Sequence, residues 1–213
     1  MVAFGRVASF DPRSREWPIR ALLAPEAPLR TRLWPCDLWL DQGVEGACVG
    51  FAWAHELAAE PVAVPGVDDT LARALYQRAK QLDEWEGDNY DGTSVLAGAK
   101  ATAERGFLIE YRWAFGIDDV LATLSQHGPV VFGLNWYQGM VEVTDGCRVR
   151  PTGRVVGGHA IVGIGVDVDA EVVVLHNSWG LDWGRQGRAC IAFDDLDRLL
   201  REDGEACVPV VRA

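Results

Sequence analysis

The chain has 213 residues, 49% of them hydrophobic and 24% charged, and its formal net charge is −11. That balance belongs to a globular protein with a core of its own and argues against a disordered chain. The acidic excess argues against nucleic acid or an anionic membrane as the main partner, because both attract positive charge.

No run approaches the roughly 18 apolar residues of a membrane-spanning helix. Arg6, Asp11, Arg13 and Arg15 interrupt the N-terminus too often for a secretion signal, so a cytoplasmic location is expected. Five cysteines (Cys36, Cys48, Cys147, Cys190, Cys207) show no framework spacing and no CxxC pair, so reduced thiols are expected. With no HExxH and no Cys/His cluster at ligand spacing, neither a metal nor another cofactor is expected.

In chain order, the first 35 residues carry Pro12, Pro18, Pro25, Pro28 and Pro35 and read as extended, surface-wrapping chain with one short helical stretch. Residues 48–60, CVGFAWAHELAAE, are helical in composition, and Pro61 stops them. Over 70–85 the apolar residues Leu71, Leu75, Ala79 and Leu82 recur at helical spacing, with Asp69 or Thr70 as the cap. A polar loop follows, then a helix over 94–104 that Gly106 ends. The runs PVVFGLNW, GHAIVGIGV, EVVVLHNSW and RACIAF are β-branched and read as strands, interrupted by short helices over 118–126 and 194–201. The fold class is therefore α+β, a helical lobe followed by a mostly antiparallel β lobe. The expected division is a wrapping segment and loop over 1–43, a helical lobe over 44–127 and a β lobe over 128–213, with the boundary near Gly128-Pro129.

Cys48 opens the first helix after the glycine-punctuated loop DQGVEGA. A cysteine there has its thiolate favoured by the helix dipole and free N–H groups, which would make it a nucleophile. A buried structural cysteine is the competing reading. A thiol nucleophile needs a base, and there are four histidines. His55 lies seven residues along the same helix, about 10 Å from Cys48 at 1.5 Å per residue. His127 sits in a QHGP turn and reads as a solvated loop residue, while His176 neighbours Asn177 in a strand and points to the opposite face. His159, after Gly157-Gly158, remains as the best base. Asn177 is placed to hold its imidazole, and Gln42, six residues before Cys48, can supply an oxyanion donor beside the Cys48 amide.

Three segments carry a resemblance to papain-like cysteine peptidases. DQGVEGACVGFAWA resembles their nucleophile region, and GGHAIVGIGVD their histidine strand. HNSWGLDWGRQGRACI matches their Asn-Ser-Trp-Gly-x-x-Trp-Gly-x-x-Gly signature at every fixed position. The order Gln, Cys, His, Asn is also the family's, and the resemblance covers roughly residues 30 to 210. It implies a two-lobed fold, a helical lobe and a β-barrel-like lobe with the cleft between them. It also implies hydrolysis of a peptide or protein substrate through a thioester at Cys48, with His159, Asn177 and Gln42 as partners. Gly92, Gly158, Gly133 and Ala160 would meet the substrate, the last two lining a roomy apolar pocket for the residue two before the scissile bond. Trp179 would cover the Asn177–His159 bond. Glu45 and Val49 replace the usual cysteine and tryptophan, as in short prokaryotic or phage-type members. An isopeptidase, amidase or transferase using the same residues, and a non-catalytic protein on the same fold, remain as alternatives.

Overall fold

The computed structural model describes residues 3–83, 91–143 and 147–212. Five α-helices and seven strands follow in chain order: β1 (Arg32–Leu33), α1 (Cys48–Ala58), α2 (Asp69–Leu82), α3 (Val95–Glu104), β2 (Leu108–Trp113), α4 (Ile117–Gln126), β3 (Val130–Tyr137), β4 (Val155–Asp167), β5 (Val172–His176), β6 (Arg188–Ala192), α5 (Phe193–Arg201) and β7 (Glu205–Arg212).

The helices begin where their caps dictate. Asp68 accepts from the Leu71 amide and Ser94 from the Ala97 amide, each satisfying a donor the first helical turn leaves open. Asp68 thus caps α2, one residue before the expected position. Trp85, the expected end of that helix, and most of the polar loop after it lie outside the described residues. α1 is buried from Cys48 to Leu57, as its apolar run Cys48 to Ala54 requires, and His55 and Glu56 are buried with it. Gly50 lets α2 approach it: a Cβ there would lie 2.3 Å from the Ala72 carbonyl oxygen. Residues 3–35 hold two short 3-10 turns, Ser14–Glu16 and Ile19–Ala21, with further turns and irregular chain between them and β1.

All strand pairs are antiparallel, in the order β2-β7-β3-β4-β5-β6, and β1 pairs with β4 beyond the end of β3. One core packs α1, α2 and α3 on the face of Val131, Ala160, Val162 and Cys207; the other packs α4 and α5 beneath Phe132, Leu134, Ile161 and Leu175. The strict alternation of β3 and β4 thus sends neighbouring residues into different halves of the molecule. β2 and β7 are strands that composition did not announce. β7 places Glu205 opposite Gly133 and Cys207 opposite Val131.

Candidate active site

The residues singled out in the sequence converge. The Gln42 amide donates to the Ser178 carbonyl at 2.9 Å, which sets the loop before α1 against the end of β5. β4 pairs with β5, so His159 and Asn177 stand on neighbouring strands' ends, and His159 Nε2 meets Asn177 Oδ1 at 2.7 Å. Oδ1 also accepts from the Ser178 amide at 2.8 Å, which fixes the side-chain amide and hence makes Nε2 the donor. Ser178 Oγ donates to Gln42 Oε1 at 2.7 Å and turns the Gln42 NH2 outward, toward the Glu45 carbonyl at 2.8 Å and the Ala3 carbonyl at 3.3 Å. Cys48 Sγ accepts from the Ala160 amide at 3.3 Å, one residue beyond His159 on the same strand.

Aromatic rings wall the histidine. Trp179 lies over it at 4.6 Å between centroids and Trp136 stands edge-on at 4.8 Å. They exclude water from the His159–Asn177 bond, which strengthens it. Trp136 escaped the sequence reading, although it ends the apolar run of β3.

The N-terminal residues fill the cleft. The Gly5 and Arg6 amides donate to the Gly158 carbonyl at 3.1 and 3.0 Å. The Thr93 amide donates to the Gly5 carbonyl at 2.7 Å, and Val7 returns a bond to Thr93 at 2.9 Å. Phe4 packs on Gly157 and edge-on to His159 and Trp179. Added Cβ atoms at Gly92 and Gly158 would strike the Gly5 and Arg6 carbonyls at 2.3 and 2.2 Å, so these glycines admit the strap. Gly5 presents its N–H toward the Cys48 sulfur, while its carbonyl is turned to Thr93.

Burial under this strap reverses the expected charge state. The Cys48 thiol is pushed up to about 11 by desolvation, against hydrogen bonds from Ala160, Gly5 and Val49 that favour the thiolate. His159 is brought down to about 4 by the same desolvation, and its Nδ1 is buried without a hydrogen-bond partner. Both groups are neutral here. The helix N-terminus is too weak a field to overcome complete burial.

The other histidines are structural. His55 accepts from the Leu40 amide at 3.1 Å and stacks edge-on against His176, whose Nε2 donates to the Leu38 carbonyl at 2.8 Å and whose Nδ1 accepts from Arg188. His127 is half-buried and meets the Pro209 carbonyl at 2.9 Å, so it is not the solvated loop residue expected. The Gly133 pocket also departs from expectation. It is not apolar, because Glu205 on β7 forms its floor: a Cβ at Gly133 would lie 2.7 Å from Glu205 Oε1. An unanticipated strand brought that carboxylate in.

A model of the papain family cysteine protease matches residues 100–197, the stretch that holds His159 and Asn177. Xylellain, a cysteine protease from Xylella fastidiosa, superposes with a TM-score of 0.73 at 19% identity, over 98% of this chain and 96% of that one. The chain has the papain-like fold, and its sequence matches the papain family over residues 100–197. A procathepsin L 3 from Tenebrio molitor larval midgut shares the papain-like fold with a TM-score of 0.64 and 16% identity, over 97% of this chain and 76% of that one. Cathepsin B-like cysteine proteinase 4 of Caenorhabditis elegans is 23% identical over 167 residues, 72% of this chain. The chain spans about half the length of that relative (47%). Within the papain-like frame Glu45, in place of the usual cysteine, pairs with Arg73 at 3.2 Å on the surface. Val49 is buried against α3, where a Cβ on Gly98 would meet it at 2.7 Å.

Proposed function

We propose that this chain is a cysteine peptidase that cuts peptide bonds through a thioester on Cys48. The observation that carries the reading is the placement of three groups. The Cys48 sulfur rests on the Ala160 amide, the adjacent His159 is held by Asn177 at 2.7 Å, and the Gln42 NH2 is already turned onto a peptide carbonyl, that of Ala3. With the strap withdrawn, water re-enters, and the proton of Cys48 passes to His159 Nδ1, which Nε2 bonding to Asn177 leaves free. The thiolate adds to the substrate carbonyl, and the oxyanion takes hydrogen bonds from Gln42 and the Cys48 amide. His159 gives its proton to the leaving nitrogen as the C–N bond breaks. Water, deprotonated by His159, then attacks the thioester and releases the acid and Cys48.

Gly92, Gly158, Gly133, Ala160 and Trp179 are the proposed substrate contacts, on the ground that the chain's own residues 3–7 or His159 already touch four of them. The compartment proposed is a reducing, cytoplasmic one, supported by the free state of the cysteines. No helix among the described residues is long and apolar enough to cross a membrane.

Hydrolysis of a blocked dipeptidyl coumarylamide tests the reading. The wild type is expected to release the fluorophore under reducing conditions with a bell-shaped pH profile, since the pair must share one proton. Cys48→Ala and His159→Ala are expected to lose at least about a thousandfold in kcat/KM. Cleavage that survives Cys48→Ala would overturn it.

A further inference from the structure

β6 stands at one end of the sheet, and the segment that precedes β4 lies along it, with Arg148 bridged to Cys190. The Cys190 amide donates to the Cys147 carbonyl at 2.5 Å, and the Val149 amide to the Cys190 carbonyl at 2.8 Å. Chains bonded in this way run about 4.8 Å apart, a spacing that a disulfide can span. The two sulfurs are 3.3 Å apart, and both cysteines are reduced and half-buried. A pocket of about 250 Å³ opens beside them, walled by Trp39 and Val174 and by the guanidinium-bearing Arg185 and Arg188. Its lining is positive in a chain whose net charge is −11. Arg188 donates only to neutral acceptors, His176 Nδ1 at 3.1 Å and the Cys36 carbonyl at 2.6 Å, and lies 5.2 Å from the centre of the Trp39 ring. Neither of those bonds cancels its charge. Arg185 is exposed.

We propose that Cys147 and Cys190 form a thiol–disulfide exchange site for a small anionic disulfide of the glutathione class, seated against Arg185 and Arg188. The assignment goes beyond the peptidase reading and does not depend on it. Cys147 is the attacking thiol, because it lies in the turn before β4, whereas Cys190 is held in β6 by its pairing with β5. Burial first, and then the Cys147 sulfur, also disfavour the Cys190 thiolate; Arg148 favours it and Asp167 opposes it. The Cys147 thiolate attacks one sulfur of the bound disulfide. That S–S bond breaks, and one glutathione leaves and takes up the proton Cys147 gave away. Cys190 then attacks the Cys147 sulfur, and the second glutathione leaves with the Cys190 proton as the Cys147–Cys190 bond forms. Two protein thiols are oxidised and one disulfide is reduced to two thiols. Reduced glutathione runs the same steps backwards.

The experiment treats the full chain with oxidised glutathione, which is anionic, or cystamine, which is cationic and carries the same reacting bond. Reactions at pH 7.5 are quenched with acid, and the Cys147–Cys190 disulfide is followed by peptide mass mapping. Oxidised glutathione is expected to act at least about tenfold faster at low salt, and the advantage should shrink as salt is added. Arg185→Glu, an exposed change, is expected to abolish it. Cys190→Ser is expected to trap one glutathionyl group on Cys147, and Cys147→Ser to leave Cys190 unmodified over the same time. Equal rates with the two reagents, an advantage untouched by Arg185→Glu, or reaction of Cys36, Cys48 or Cys207 ahead of the pair overturns the proposal. Glutathionylation of Cys190 in Cys147→Ser at the wild-type rate overturns the order of attack.

Discussion

Cys48 and His159 show how far a neighbourhood can override a residue's ordinary chemistry. With the thiol pushed up to about 11 by burial, Cys48 is held as the neutral thiol near pH 7. A single atom can release it. A Cβ on Gly5 would lie 1.8 Å from the Gly46 carbonyl oxygen, a backbone atom that cannot retreat. Gly5→Ala is therefore expected to displace the strap and speed alkylation of Cys48 by iodoacetamide at pH 7 by at least about tenfold, read by peptide mass spectrometry. Equal rates in the two proteins would show that Gly5 does not seal the thiol. The wild-type rate should climb with pH and show no plateau below 9. The sign follows from linkage: a thiol raised from 9.0 to about 11 in the closed state favours that state below pH 9 and weakens it as pH rises through 11. On the acid side His159, lowered from 6.5 to about 4, weakens the closed state as pH falls through that window.

At the scale of elements, β6 and the segment before β4 bring two thiols together. Cys147 and Cys190 Sγ atoms lie 3.3 Å apart, and the Val149 amide donates to the Cys190 carbonyl at 2.8 Å, which holds the two chains side by side. Burial and the neighbouring sulfur push the Cys190 thiol up to about 12, so the Cys190 thiolate is scarce near neutrality. Treatment with a disulfide oxidant at pH 9 is expected to join them, with a loss of about 2 Da in the peptide map and Cys48 still reduced. Separate mixed disulfides on each cysteine would contradict this. Two cysteines 43 positions apart show no framework spacing, so reduced thiols were expected and this proximity was not legible.

The legible and illegible parts of the fold divide along the same line. α2 and α3 could be read to within a turn because caps and apolar spacing are local signals. β3, β4, β5 and β6 were legible from unbroken β-branched runs. β2, LIEYRW, mixes charge with apolar residues, and β7 contains Pro209, so neither signals a strand alone; pairing with each other and with β3 makes them strands. The candidate site divides the same way. Cys48, His159, Asn177 and Gln42 were singled out by order and motif, whereas Phe4, Arg6 and Glu205 depend on contacts across most of the chain and left no local trace.

For the whole molecule, the strap is a staple between two halves. On the helical side it touches Gly46 and bonds Thr93; on the sheet side it bonds Gly158 and Glu205. Displacing it removes those contacts from the native state and exposes the apolar walls it covers. Gly5→Ala is thus expected to lower Tm while it raises Cys48 reactivity, two changes of opposite sign from one substitution. Differential scanning calorimetry checks the first, and an unchanged or higher Tm would mean that the strap contributes no net stability.

The strap is also covalently part of the molecule it closes. A segment tethered this closely acts at an effective concentration on the order of millimolar, however dilute the protein becomes. Opening is then a first-order event, so the closed fraction is the same in a dilute compartment as in a crowded one. Whatever enters the cleft does so by outcompeting a fixed local concentration, which diluting the protein does not lower.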